Sequence, residues 1–152
     1  MRLGSGPFSQ PGTFSKSVGY TGWASGLYEQ AWFDSKPERE LANLLDAADQ
    51  VKLWIRLHVG DLPILWNGAQ NAYNPDFLVL TVDGDLWIAE VKADTQMTAE
   101  EVVAKRQAAL EWVNEVNGAT GPSSQWHYLL IAERDLEAVK GDWKALAKLT
   151  GA

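Results

Sequence analysis

The chain has 152 residues, of which 46% are hydrophobic; it carries eight tryptophans, no cysteine and a formal net charge of −7. That length suggests one domain with a core of its own, and that apolar content excludes a disordered chain. No apolar run approaches a membrane span, Arg2 is followed by no apolar signal core, and the lack of cysteine excludes a disulfide framework or thiolate zinc site, so the cytoplasm is the default compartment.

Residues 1–30 are rich in Gly, Ser, Pro and aromatics without a clear period. Gly4 to Ser17 reads as loop or tail, and Gly19 to Phe33 as an irregular strand or cover that buries Tyr20, Trp23, Tyr28, Trp32 and Phe33. The segment 1–30 is expected to pack on or trail a single domain over 31–152. Ser35-Lys36-Pro37-Glu38 opens a helix in capping-box form, with Pro37 in the first turn and Leu41, Leu44, Leu45 and Ala48 as its apolar stripe. Glu38 sits at the edge of that stripe, where it can cap the helix or point into a cleft. Val51 to Val59 alternates, with Val51, Leu53, Ile55 and Leu57 on one face and Lys52, Trp54, Arg56 and His58 on the other, as in a half-buried strand. Gly60-Asp61 turns the chain, Leu62 to Trp66 is expected to return as the hairpin partner of that strand, and Asn67 to Asn74 reads as loop.

Two strands follow, Phe77 to Val82 and Leu86 to Val91, joined through Asp83-Gly84. A plain two-residue loop would put Asp76 and Glu90 on opposite faces. A three-residue loop, Val82-Asp83-Gly84, with Gly84 as the left-handed residue of a bulge, pairs Thr81 with Asp85 and sets Asp76 directly opposite Glu90. Directly opposed residues have Cβ atoms roughly 5 Å apart, and Lys92 shares the face of Glu90 because the side-chain period of a strand is two. Only this register gathers the three groups. Two carboxylates and an ammonium suit metal-assisted phosphodiester hydrolysis: a hard divalent ion takes carboxylate oxygens, keeps waters and offsets charge on the phosphate. A strand end with a surface ion pair is the bland alternative.

Downstream, Met97 to Glu101 reads as a second capping box, with Met97 and Val102 as a hydrophobic staple, opening a helix that stops at Asn117-Gly118. Val102, Lys105, Ala109, Trp112 and Val116 share one face, so Lys105 either snorkels from an apolar stripe or reaches phosphate. Trp126 to Glu133 reads as a buried strand, with His127 structural and Glu133 a candidate third acid. Short helices follow over Asp135–Lys140 and Asp142–Leu149. The order implies an α/β protein with a mixed central sheet flanked by helices.

Pro75-Asp76 followed by Glu90-Val91-Lys92 resembles the PD-(D/E)xK nuclease signature. The wider series is similar to the nuclease domain at the C-terminal end of type III restriction enzyme subunits and related DEAD/DEAH helicase proteins. Its pieces are Phe33-Asp34-Ser35 with Glu38, Val51 with Trp54, Tyr73-x-Pro75-Asp76-Phe77, Asp83-Gly84, Glu90-Val91-Lys92, and a helix with Ala104-Lys105 and Trp112, spanning roughly residues 33 to 133. The resemblance implies a restriction-endonuclease-like α-β-β-β-α-β core and a Mg²⁺-dependent DNA endonuclease in a restriction or mobile-element defence system, with Mn²⁺ as a substitute ion. It implies metal ligands at Asp76, Glu90 and the Val91 carbonyl, a catalytic Lys92, and an assisting Glu38. Lys52, Arg56, His58, Lys105 and Arg106 are candidate DNA contacts. The acidity argues against strong free-standing DNA affinity, since Lys and Arg contacts supply most of it. The chain has no Gly-Lys-Ser/Thr phosphate loop, so either a helicase, translocase or modification subunit is supplied by another chain, or this is an excised or stand-alone nuclease module. Double-stranded DNA is the expected substrate, RNA is not excluded, and cutting two strands favours a homodimer. Heteromeric transposase endonuclease subunits also carry the signature. A nuclease-fold docking module that no longer cleaves is the alternative of a different class.

Overall fold

A computed structural model describes residues 14–66, 68, 70–120 and 125–150. Most of the stretch read as a tail, residues 4–13, lies outside them. The elements in order are β1 (Tyr20–Thr21), β2 (Gln30–Ala31), α1 (Lys36–Ala47), β3 (Val51–Arg56), β4 (Ile64–Trp66), β5 (Asn71–Tyr73), β6 (Phe77–Thr81) and β7 (Leu86–Lys92). A 3-10 turn (Asp94–Gln96), α2 (Glu100–Thr120), β8 (Trp126–Ala132), α3 (Glu133–Val139) and α4 (Trp143–Thr150) complete the chain. No helix among the described residues is long and apolar enough to cross a membrane.

The central sheet has the order β3-β6-β7-β8: its first three strands are antiparallel and β8 joins parallel to β7. It is a mixed sheet with helices on both faces, as the element order implies. One core lies on the α1, α3 and α4 face, built around Phe33, Leu41, Phe77, Val79, Ile131 and Leu146. The other, around Ile88, Ala109, Val113, Tyr128 and Leu130, lies under α2. Phe77 and Val79 belong to the first core and Leu78 to the second, as the two-residue period of a strand requires. Along β7, Ile88 faces α2 while Ala89 and Val91 face α1. By the same period Glu90 and Lys92 emerge on the α2 face.

α1 begins where its sequence says it should. Ser35 is the extended N-cap, its hydroxyl accepts from the Glu38 amide at 3.4 Å, and Pro37 occupies the first turn. The Glu38 carboxylate folds back to accept from the Asp34 amide at 3.3 Å and the Ser35 hydroxyl at 3.2 Å. Those bonds satisfy polar groups that a helix start otherwise leaves open. Leu41, Leu44 and Leu45 are buried against the sheet. Near the end of the helix, Asp46 accepts from the backbone amides of Ala24 and Ser25 and from the Trp54 indole. Its carboxylate thereby ties the N-terminal cover to β3.

The hairpin has the three-residue-loop register. Phe77 pairs with Ala89 and Leu80 with Leu86, the Thr81 amide donates to the Asp85 carbonyl, and Gly84 has φ +94°. Extending the register by one residue puts Asp76 opposite Glu90.

Other expectations are corrected. A register shift between Val51 and Leu53 breaks the alternation of β3, so Trp54 and Arg56 are buried while Lys52 and Leu53 are exposed. A bulge advances the phase of a strand by one residue, so beyond it Trp54 and Arg56 turn inward as Val51 does, while Lys52 stays exposed. β4 pairs with β5, inside the stretch read as loop, and not with β3. Tyr28 and Trp32 are exposed rather than covered. α2 starts at Glu100, later than a Thr98 cap would place it, and continues through Asn117-Gly118. Asn117 instead clamps the first residue of β8: its side chain accepts from the Trp126 amide at 2.7 Å and donates to the Trp126 carbonyl at 3.0 Å. Met97 and Val102 each pack against the second core.

Candidate active site

Asp76 stands immediately before β6, and its carboxylate reaches across the hairpin. Oδ2 accepts from the Val91 amide at 3.0 Å. Asp76 also lines a cleft of about 460 Å³, together with Asp34, Arg56, Leu57, His58 and Asn74. The cleft-side loop is held by side chains: Asp61 accepts from the His58 amide at 2.8 Å, and Asn74 Oδ1 accepts from the amides of Gly60 and Leu62, each at 3.2 Å. Burial, followed by the charges of Glu38 and Glu90, pushes the Asp76 carboxyl up to about 7, against the pull of the Val91 amide and Arg56.

Glu90 is almost wholly buried, 3% exposed. Its Oε2 accepts the Tyr128 hydroxyl at 2.5 Å and lies 3.4 Å from the Tyr73 hydroxyl. Burial raises its carboxyl above the usual range, and the two hydroxyls and the positive charges of Lys92 and Lys105 hold it back. Burial and the Glu90 charge raise both phenols, so they remain protonated donors at neutral pH. Lys92, half-buried at the end of β7, is close enough to act electrostatically on Glu90 and Glu101. Lys105 stands over the rings of Trp66 and Tyr73, 5.0 and 5.4 Å from their centroids, and pairs with Glu101 at 2.7 Å. It is both a snorkelling lysine and a positive charge felt by Glu90.

Glu38 comes from α1, on the first-core side of the sheet, yet its charge acts on Asp76 ahead of that of Glu90, and its carboxylate is engaged by Arg56. Arg56 Nη2 meets it at 2.7 Å and Asp34 at 3.2 Å, while Nη1 donates to the carbonyls of Leu57 and, at 3.2 Å, Asp76. Glu38 therefore connects to Asp76 through Arg56, and Arg56, 8% exposed, is a buried strut rather than a surface cation. Lys52 lies at the far end of β3, beside Thr81, about 13 Å along the strand from Arg56. Of the expected basic groups, Lys92 and Lys105 gather near Glu90 and His58 lines the Asp76 cleft. Arg106 is exposed on α2. His127 is structural in its contacts, stacked on Trp87 with its ring centroid at 4.1 Å and bonded to Asp85 at 2.9 Å. Glu133 begins α3.

Reading the sequence missed Tyr128 and the bonding roles of Tyr73 and Arg56. Tyr128 reaches Glu90 only because β8 pairs in parallel with β7, Ile88 against Tyr128 and Glu90 against Leu130. No spacing in the chain carries that signal.

Among the described residues, no group of three or more His, Asp or Glu side chains is arranged to hold a metal. The narrower set of Asp76 and Glu90, with the Val91 carbonyl next along β7, nonetheless has the donor chemistry that a hard divalent cation takes. It offers oxygen donors only, and burial raises both carboxyls, so a bound cation would favour their charged forms.

An unfolded Asp76 ionises near its ordinary value of 3.8, so between there and about pH 7 the folded chain keeps a proton that the unfolded chain has lost. Stability contributed by this group is therefore complete below pH 4, falls as pH rises through that window and is gone above 7. In metal-free buffer, Asp76→Asn should raise the melting temperature at pH 8, on the order of 5 °C, with a smaller gain at pH 4. Differential scanning calorimetry at the two pH values checks this; equal gains at both would refute the assignment.

Comparisons of the chain with protein families, with curated proteins and with solved structures return no match.

Proposed function

We propose that the chain is a Mg²⁺-dependent DNA endonuclease domain of the PD-(D/E)xK type, with a restriction-endonuclease-like core. The observation that carries the reading is the hairpin register, which sets Asp76 opposite Glu90 and leaves Lys92 two residues on along the same face. The sheet order supports it: a helix, three antiparallel strands, a second helix and a parallel fourth strand follow in turn.

Asp76 and Glu90 would hold the ion, with the Val91 carbonyl as a further ligand. A bound magnesium supplies a water of lowered pKa and offsets charge on the scissile phosphate. Lys92 holds that water, or a phosphate oxygen, by a charge-assisted hydrogen bond. Glu38 is a positioning residue: it fixes Arg56, and Arg56 fixes the Asp76 backbone. The net charge of −7 and the burial of Arg56 leave little positive surface for DNA, so delivery by a helicase, translocase or modification subunit belongs to the proposal. Double-strand cutting would take two copies of the chain.

A nuclease-fold docking module is the second reading, and the net charge of −7 with eight tryptophans is compatible with it. Calorimetric titration with Mg²⁺ and Mn²⁺ separates the two. The nuclease reading expects binding that Asp76→Ala and Glu90→Ala each abolish. A wild-type chain that takes up neither ion would turn the assignment to docking.

A further inference from the structure

Each carboxylate of the candidate site has one oxygen committed to a protein donor. Asp76 gives Oδ2 to the Val91 amide, and Glu90 gives Oε2 to the Tyr128 hydroxyl, with the Tyr73 hydroxyl behind it. The other two oxygens, Asp76 Oδ1 and Glu90 Oε1, take no hydrogen bond among the described residues. Resting on the metal-site reading above, we infer that Tyr128, supported by Tyr73, fixes Glu90 as a one-oxygen ligand and so selects magnesium or manganese over calcium.

The argument is one of coordination. Calcium takes six to eight oxygens and often binds both oxygens of a carboxylate; magnesium demands near-octahedral geometry and retains several waters. Two single-oxygen carboxylates suit an ion that fills its remaining positions with water, and they deny calcium the bidentate contact it favours. The phenols can enforce this because both are buried, Tyr128 at 6% and Tyr73 at 8% exposure, so water competes little for Oε2. The two are not equal. Tyr128 is 2.5 Å from Oε2, whereas Tyr73, with one hydroxyl proton, is 3.4 Å away and 3.1 Å from the Lys105 carbonyl. Tyr128 is the principal positioning residue, and Tyr73 closes the space beside it.

The test is titration of the wild-type chain, Tyr128→Phe and Tyr73→Phe with Mg²⁺ and separately with Ca²⁺, followed by calorimetry. Loss of an outer-shell partner weakens metal affinity by about 10- to 100-fold in known sites. Tyr128→Phe should weaken Mg²⁺ roughly tenfold and leave Ca²⁺ equal or tighter, lowering the Mg²⁺ to Ca²⁺ preference by about that factor. Tyr73→Phe should move the preference the same way by less, and it carries the test if Tyr128→Phe fails to fold. Affinities that fall by a common factor, or do not change, would overturn the inference while leaving the metal site in place. A wild-type chain that binds neither ion would remove the metal site and the inference together.

Discussion

Lys92→Met should reduce Mg²⁺-dependent nicking of plasmid DNA by about 10²- to 10⁴-fold, the range for removing a group that moves or holds a proton in the transition state. Magnesium affinity should change little, because an ammonium is not a ligand. Methionine replaces the apolar stem of lysine out to Cε, so the half-buried end of β7 stays filled. The discriminating feature is the split between rate and binding: a large loss of rate at saturating Mg²⁺, with the calorimetric isotherm near that of the wild type. A parallel loss of both would make Lys92 a scaffold for Glu90, on which its charge acts. An unchanged rate would remove it from the chemistry.

The largest expected effect on stability lies at Arg56. Its guanidinium is buried and holds the Glu38 carboxylate, which is itself buried, with the carbonyls of Leu57 and Asp76 on its other nitrogen. Arg56→Met removes the cation and leaves Glu38 buried without a counter-charge. Breaking a buried pair in this way costs about 3–5 kcal/mol. The Asp34 contact adds little, since its side chain is 65% exposed and water screens it. In a chain of this size the melting temperature should fall by roughly 10 °C. Arg56→Met combined with Glu38→Gln should recover part of that loss, because the stranded charge is then gone as well. Urea unfolding of the two single variants and the double variant measures the coupling; additive losses would show that Arg56 and Glu38 are not a buried pair.

Local chemistry made the hairpin and α1 legible in the sequence. Ser35, Pro37 and Glu38 are a helix start wherever the chain puts them, and a glycine at position 84 permits the positive φ that sets the register of Asp76 against Glu90. β3 departs from its sequence alternation for an equally local reason. One extra residue between Val51 and Leu53 shifts the phase, and the alternation gives no sign of where a bulge falls. That shift turned Arg56 from a surface cation into the strut under Asp76. β4 and β5 each have three residues, too few for periodicity to show. Tyr128 was hidden for a different reason. It is 38 residues from Glu90, and only the parallel pairing of β8 with β7 brings its hydroxyl to the carboxylate. Non-local register is the part of the site that composition and spacing do not encode.

The central claim is hydrolysis at Asp76 and Glu90, and plasmid nicking by the purified chain tests it most directly. The assay compares Mg²⁺, Mn²⁺ and EDTA, with Asp76→Ala beside the wild type. Nicking in either metal, none in EDTA and none by Asp76→Ala is the expected result. Nicking that survives EDTA or the Asp76→Ala change would contradict it.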